Sequence, residues 1–130
     1  MHPNPTLPLA PAPLLRAEAA LGLATAAAAY ALTGGSWLLF AALFLTPDLA
    51  MLAYLRGPRF GAALYNLAHW APPAAALAAA GYAWAHPVLL HLGLIWLAHI
   101  AFDRALGYGL KLPSGFSDTH LGRIGRRGAA

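Results

Sequence analysis

The chain has 130 residues, the size of one domain, and 60% of them are apolar while only 9% are charged; a soluble globular domain carries about 25% charged residues. That composition excludes an ordinary water-soluble fold and makes the bilayer the natural solvent. The net charge of +4 comes with no nucleic-acid motif and no basic face, so nucleic acid is excluded as a partner, and the absence of cysteine excludes disulfides and thiolate metal ligands.

Residues 1–13, MHPNPTLPLAPAP, carry prolines at one- to two-residue spacing, which opposes a helix and predicts an extended, flexible arm. It lacks a basic start running into an apolar core and a small-residue cleavage site, so no cleavable signal peptide is expected. Residues 14–33, LLRAEAALGLATAAAAYALT, make a helix of about 30 Å, the thickness of the hydrocarbon core. Its alanines favour close helix packing in lipid. Glu18, Gly22, Thr25 and Ala29 share a stripe expected to face the other helices.

Gly34 and Gly35 stop this helix, and residues 36–55, SWLLFAALFLTPDLAMLAYL, supply the second span. Its leucines and phenylalanines each favour insertion by about 0.3–0.6 kcal/mol, which outweighs about 3 kcal/mol against it from Asp48. Pro47 cannot donate to the Leu43 carbonyl, so a kink or locally open backbone is predicted at Asp48. After the basic turn Arg56-Gly57-Pro58-Arg59, the third span covers 59–84. There Ala62, Asn66, His69 and Pro73 share a face, and Pro72-Pro73 free carbonyls near His69. The fourth span covers 88–110, and residues 111–130 form a polar cytoplasmic tail.

The expected fold is therefore all-α: a bundle of four transmembrane helices, 14–110, with both termini cytoplasmic. All eight Lys and Arg lie on or near the side of the two termini and the 56–59 turn, which the positive-inside rule assigns to the cytoplasm. Tyr30, Trp37, Tyr82 and Trp84 would form the outer aromatic belt, and Tyr54 and Tyr108 the inner one.

Counted inward from the cytoplasmic ends at about 1.5 Å per residue, Glu18 lies about 6 Å deep, Asp48 and Asp103 about 10 Å, Asn66 about 12 Å, and His69 and His99 about 16 Å. Ionisable groups at membrane depth are costly and face the bundle interior, so their convergence across helices marks a candidate site. His99 and Asp103 stand at i and i+4 on one helical face. With His69 and Asp48 they offer two imidazoles and two carboxylates, a donor set for zinc, manganese or iron that can activate water for hydrolysis. Asp48, His69 and Asp103 are also the candidates for general acid–base work. Asp118 and His120 in the tail are weaker candidates, His120 as a metal ligand, if the tail folds back over the cytoplasmic mouth with Phe116 and Leu121 as anchors.

Three other readings compete. In the first, the polar centre is structural: Asp48 or Asp103 pairs with Arg104, and the histidines bond Asn66 or the carbonyls freed by proline. The chain is then a non-enzymatic membrane subunit or small-molecule-binding protein whose alanine and glycine faces recruit a second copy or a membrane-protein partner. The second is passage of a ligand or proton, which ranks below the others because four short spans leave little room for alternating access. In the third, His69 and His99 clasp a haem as an axial pair. His2, His86 and His91 have no acid at matching depth and are expected to be incidental.

The blocks LFLTPDLAMLAYLRGPRFGAALYNLAHWAPPA and IWLAHIAFDRALGYGLKLPSGFSDTHLGRIG resemble a family of small bacterial four-helix membrane proteins known as domain of unknown function 4260. The resemblance covers roughly residues 14–126. It implies a multi-pass inner-membrane protein whose family pattern includes Asp48, Asn66, His69, His99, Asp103, Arg104, Tyr108, Asp118 and His120, and it implies no activity. Pro47-Asp48 followed by His69 is also similar to membrane-bound metal-dependent hydrolases with a Pro-Asp motif, although this chain lacks their second Asp and their His-Arg-Gly run.

The residues leave open whether the chain is an enzyme; the first hypothesis is a metal-dependent membrane enzyme, hydrolase-like, acting on a lipid or amphipathic substrate, and the alternative is the non-enzymatic membrane subunit or small-molecule-binding protein. In the first, Arg104 and Tyr108 would meet an anionic headgroup.

Overall fold

The computed structural model describes residues 11–111, 118–119 and 122–123. Its elements are α1 (Pro11–Leu32), α2 (Trp37–Leu43), a 3₁₀ helix (Thr46–Arg56), α3 (Pro58–Ala68), α4 (Ala71–Ala83), α5 (Pro87–Ala105), and a two-residue strand pair, β1 (Asp118–Thr119) with β2 (Gly122–Arg123). Apart from that pair the described architecture is all-α. Two helical stretches, Trp37–Arg56 and Pro87–Ala105, are long and apolar enough to cross a membrane.

Helix α5 is the axis of the fold. Helices α1 and α4 pack along it, while the 3₁₀ helix packs on α3. The approach of α4 to α5 is set by glycine: a Cβ on Gly93 would lie 2.4 Å from the Ala78 nitrogen, and one on Gly81 would lie 2.1 Å from the Leu90 nitrogen. Backbone therefore meets backbone, the small-residue packing that holds helices together in lipid. On the other flank Ala26 and Tyr30 are buried while Glu18 and Thr25 are exposed. The packed stripe of α1 thus runs one residue later than the expected one, through the partly buried Ala19 and Leu23 to Ala26 and Tyr30. Gly22 remains close to α5, where a Cβ would sit 3.8 Å from that of Ala101.

Tyr30 was expected in an outer belt, yet it is fully buried. Its hydroxyl donates to the Ser36 carbonyl at 2.6 Å, which satisfies the phenol inside the fold and frees the ring to pack against Trp37, Phe40 and His91. His91 is not incidental either, because its Nε2 lies 3.1 Å from the Thr33 hydroxyl and ties α5 to the end of α1. His86 accepts from the Leu89 amide and caps α5.

Proline decides where the helices break. Helix α1 already begins at Pro11, inside the segment expected to be extended, because a proline in the first turn gives up an amide that has no helical partner. The second span changes winding at Pro47, where the kink was expected, but does so for all of Thr46–Arg56 as a 3₁₀ helix. The third span is two helices rather than one: Pro72 and Pro73 start α4, leaving His69 and Trp70 between α3 and α4. Helix α5 ends at Ala105, short of residue 110, and Gly107 turns the chain with φ at 92°.

Candidate metal centre

Four side chains from three segments meet at one point: Asp48 from the 3₁₀ helix, His69 from the end of α3, and His99 and Asp103 from α5. The 3₁₀ winding explains how Asp48 gets there. Over the seven residues from Leu55 back to Asp48 an α-helix would climb about 10 Å, but a 3₁₀ helix climbs about 14 Å, lifting the carboxylate to the level of the two imidazoles.

The contacts are close and nearly equal. His69 Nε2 lies 3.0 Å from Asp48 Oδ1, 3.1 Å from His99 Nε2 and 3.3 Å from Asp103 Oδ2. His99 Nε2 lies 3.2 Å from Asp48 Oδ1 and 3.4 Å from Asp103 Oδ2. The four ligand atoms all fall within 4.8 Å of one another, and five of their six separations measure 3.0–3.4 Å. An ion at the centre of such a set would lie about 2.0–2.4 Å from each ligand atom, a range that includes the bonds of zinc to imidazole nitrogen and carboxylate oxygen. His69 and His99 are fully buried, Asp103 is 7% exposed, and the Asp48 side chain is 29% exposed. The site opens on the Asp48 side alone.

With both rings neutral, hydrogen bonds do not satisfy every one of these contacts. His69 Nδ1 donates to the Tyr65 carbonyl at 2.8 Å, so in the neutral ring Nε2 carries a bare lone pair. That lone pair points at a carboxylate oxygen, which only accepts, and at the second imidazole. If both Nε2 atoms carried protons, two N–H groups would meet at 3.1 Å. One divalent cation would resolve every contact and neutralise two carboxylates in a poorly solvated setting, where unpaired charge is costly. Asp48, His69, His99 and Asp103 could therefore hold a metal ion. A haem does not fit the same nitrogens, since an axial pair stands about 4 Å apart with the ring between.

The surroundings fix the imidazoles. The His69 ring stacks on Tyr65 with centroids 3.8 Å apart and planes 11° from parallel. With the Tyr65 carbonyl on Nδ1, both the tautomer and the ring plane are set, the usual support of a metal-binding histidine. Phe44 meets His99 edge-on at 5.4 Å. His99 Nδ1 is buried and has no hydrogen-bond partner among the described residues.

The carbonyls freed by the break at His69 are satisfied by side chains of α5. Trp96 Nε1 donates to the Ala68 carbonyl, and Arg104 donates to the carbonyls of His69 at 2.9 Å and Tyr108 at 2.8 Å. Arg104 was an expected ion-pair partner of Asp48 or Asp103; instead its guanidinium braces the backbone on either side of the site. Tyr108 is 40% exposed and contributes this carbonyl.

Asn66, placed at the site by sequence, does not reach the cluster. It binds Lys111 at both backbone groups, donating to the carbonyl at 2.8 Å and accepting from the amide at 2.6 Å. Lys111 is the residue that sequence reasoning missed, having been assigned to a solvated tail. It is 3% exposed, its ammonium sits 4.9 Å from the Tyr65 ring centre, and burial pushes that ammonium below its ordinary pKa against the pull of Asp103 and Asp48. A backbone bridge joins Lys111 to the buried Thr119. Glu18 is exposed and lines a separate groove with Arg104. Asp118 is described only as a strand residue paired with Arg123; His120, Phe116 and Leu121 lie outside the described residues.

No curated protein and no solved structure matches the chain. A family model described as a domain of unknown function, DUF4260, matches residues 12–124, and the chain belongs to that family.

Proposed function

We propose that this chain is an integral membrane metalloprotein that binds one divalent transition ion, zinc before manganese or iron, and hydrolyses a lipid or amphipathic substrate reached from the cytoplasmic leaflet. The observation that carries the reading is the convergence of two imidazole nitrogens and two carboxylate oxygens, five of whose six separations are 3.0–3.4 Å. The membrane setting is supported by the apolar exterior: Leu32, Leu38, Leu49, Leu52, Leu55 and Trp84 are between 64% and 87% exposed, a surface that water does not tolerate as contiguous patches. The distribution of basic residues supports four passes through the inner membrane with both termini in the cytoplasm.

His69, His99 and Asp103 would hold the ion from the buried side, and Asp48 would supply the fourth ligand, a carboxylate oxygen, from the accessible side. When bound, such an ion lowers the pKa of a coordinated water and polarises a substrate carbonyl or phosphoryl group. Asp48, with its side chain 29% exposed, is the residue of the four placed to accept a proton from a water entering the site. The first experiment is elemental analysis of protein prepared without a metal-affinity column, wild type beside His99→Ala, followed by a screen against ester and phosphodiester amphiphiles. One transition metal per chain that disappears in the variant is expected; a well-folded wild type without metal refutes the reading.

The completeness of the ligand set favours a second reading. Four protein ligands close the shell, as in structural zinc sites, and the ion would then staple the 3₁₀ helix and α3 to α5 in a non-enzymatic membrane subunit or small-molecule-binding protein that pairs with a second copy or another membrane protein. Metal that stabilises the fold without any hydrolysis would favour this reading over the first.

A further inference from the structure

On the Pro11 side of Ala26 and Tyr30, a groove of about 410 Å³ runs between helices α1 and α5, a volume typical of small-molecule sites. Its walls are apolar, with Leu15 and Gly22 from α1 and Leu97 and Ala101 from α5, and two charged side chains of opposite sign, Glu18 and Arg104, line the same space. They are not paired with each other: Arg104 spends two of its five N–H donors on the carbonyls of His69 and Tyr108, and Glu18 has no ion-pair partner among the described residues. Arg16, one face round on α1, donates to the Ala105 carbonyl at 2.9 Å and ties the two helices together at this end.

We propose that this groove binds a zwitterionic lipid with a primary ammonium, of the phosphatidylethanolamine type. The charges fit such a headgroup. The unused guanidinium donors of Arg104 suit a phosphate, the Glu18 carboxylate accepts from an ammonium N–H, and the apolar walls take the start of an acyl chain. A choline headgroup offers Glu18 no N–H, and a glycerol headgroup offers it no cation.

The test is native mass spectrometry of the full chain in detergent, titrated with phosphatidylethanolamine, phosphatidylcholine and phosphatidylglycerol of identical acyl chains. A charge-assisted hydrogen bond to the ammonium predicts about tenfold tighter binding of phosphatidylethanolamine than of either other lipid. Glu18→Gln is expected to bring phosphatidylethanolamine down to the level of phosphatidylglycerol, and Gly22→Leu, which fills the groove, to weaken all three. Equal binding of the three lipids by the wild type, stronger binding of phosphatidylglycerol, or an undiminished preference in Glu18→Gln would overturn the assignment. Metal content of the same samples reports separately on the proposed function, since neither Glu18 nor Gly22 touches the four ligands.

Discussion

Replacing His99 by alanine removes one of the four candidate ligands and separates a metal centre from a merely polar core. The separations of 3.0–3.4 Å around His69 Nε2 and His99 Nε2 would put an ion about 2.0–2.4 Å from four nitrogen and oxygen ligands, and the two imidazoles favour zinc over calcium, which takes six to eight oxygen ligands. X-ray absorption at the metal edge should therefore show a four-atom light-ligand shell at about 2.0 Å with the outer-shell signature of two imidazoles. Because the ligands come from three segments that have no such link when unfolded, the ion also contributes to stability: at a free concentration one hundred times the dissociation constant the contribution is about 2.7 kcal/mol. Unfolding in detergent with and without a chelator should reveal that difference in the wild type and none in His99→Ala. The variant's own packing loss cancels, since each protein is compared with itself. A six-atom shell at longer distance, a chelator-insensitive wild type, or metal retained at full stoichiometry by His99→Ala would each refute the reasoning.

Other expectations follow from contacts outside the cluster. Asn66→Ala removes two hydrogen bonds to Lys111 and should cost about 1–3 kcal/mol in unfolding stability, with faster proteolysis after residue 111 as the local readout. Gly93→Ala puts a Cβ 2.4 Å from the Ala78 nitrogen and should destabilise by about 1–3 kcal/mol, whereas Gly22→Ala, at 3.8 Å from Ala101, should be neutral or slightly stabilising because alanine is the better helix former; thermal unfolding of the pair checks both. Reporter fusions at the two ends of the chain should both read as cytoplasmic, and a periplasmic reading at either end would invert the topology inferred from the basic residues.

The helical class and the four cluster residues were legible in the sequence because charge in an apolar helix has few innocent explanations, and because the i, i+4 spacing of His99 and Asp103 already fixes a shared face. What the residues could not disclose was winding. Counting depth at the α-helical rise put Asp48 below His69 and His99, and only the 3₁₀ rise corrects it. The role of Arg104 was hidden for a related reason: a sequence displays its charge, which suggests a carboxylate partner, but not the carbonyls at residues 69 and 108 that lose their helical donors and recruit it. Lys111 was missed because its burial depends on Asn66, 45 positions away, and Tyr30 was misplaced because its hydroxyl finds its acceptor within the connection that follows α1.

Irregular backbone is tolerated at membrane depth only where its polar groups are satisfied internally, and here both interruptions of the apolar spans lie beside metal-ligand candidates, Pro47 next to Asp48 and the Trp70 break next to His69. That coincidence gives a last test. Pro47→Ala restores an amide able to donate to Leu43 and should let the segment rewind toward an α-helix. Over seven residues the change from 3₁₀ to α lowers Asp48 by about 3–4 Å and rotates it by about 140°, which carries the carboxylate away from both Nε2 atoms while leaving His69, His99 and Asp103 in place. The expected result is a site reduced to three protein ligands, as in His99→Ala, with metal lost or below one per chain in the purified protein. Helix content by circular dichroism verifies that the variant remains folded. Unchanged affinity and an unchanged shell in Pro47→Ala would show that the 3₁₀ winding is not what presents Asp48, and the convergence would then have to be credited to the packing of the 3₁₀ helix on α3 alone.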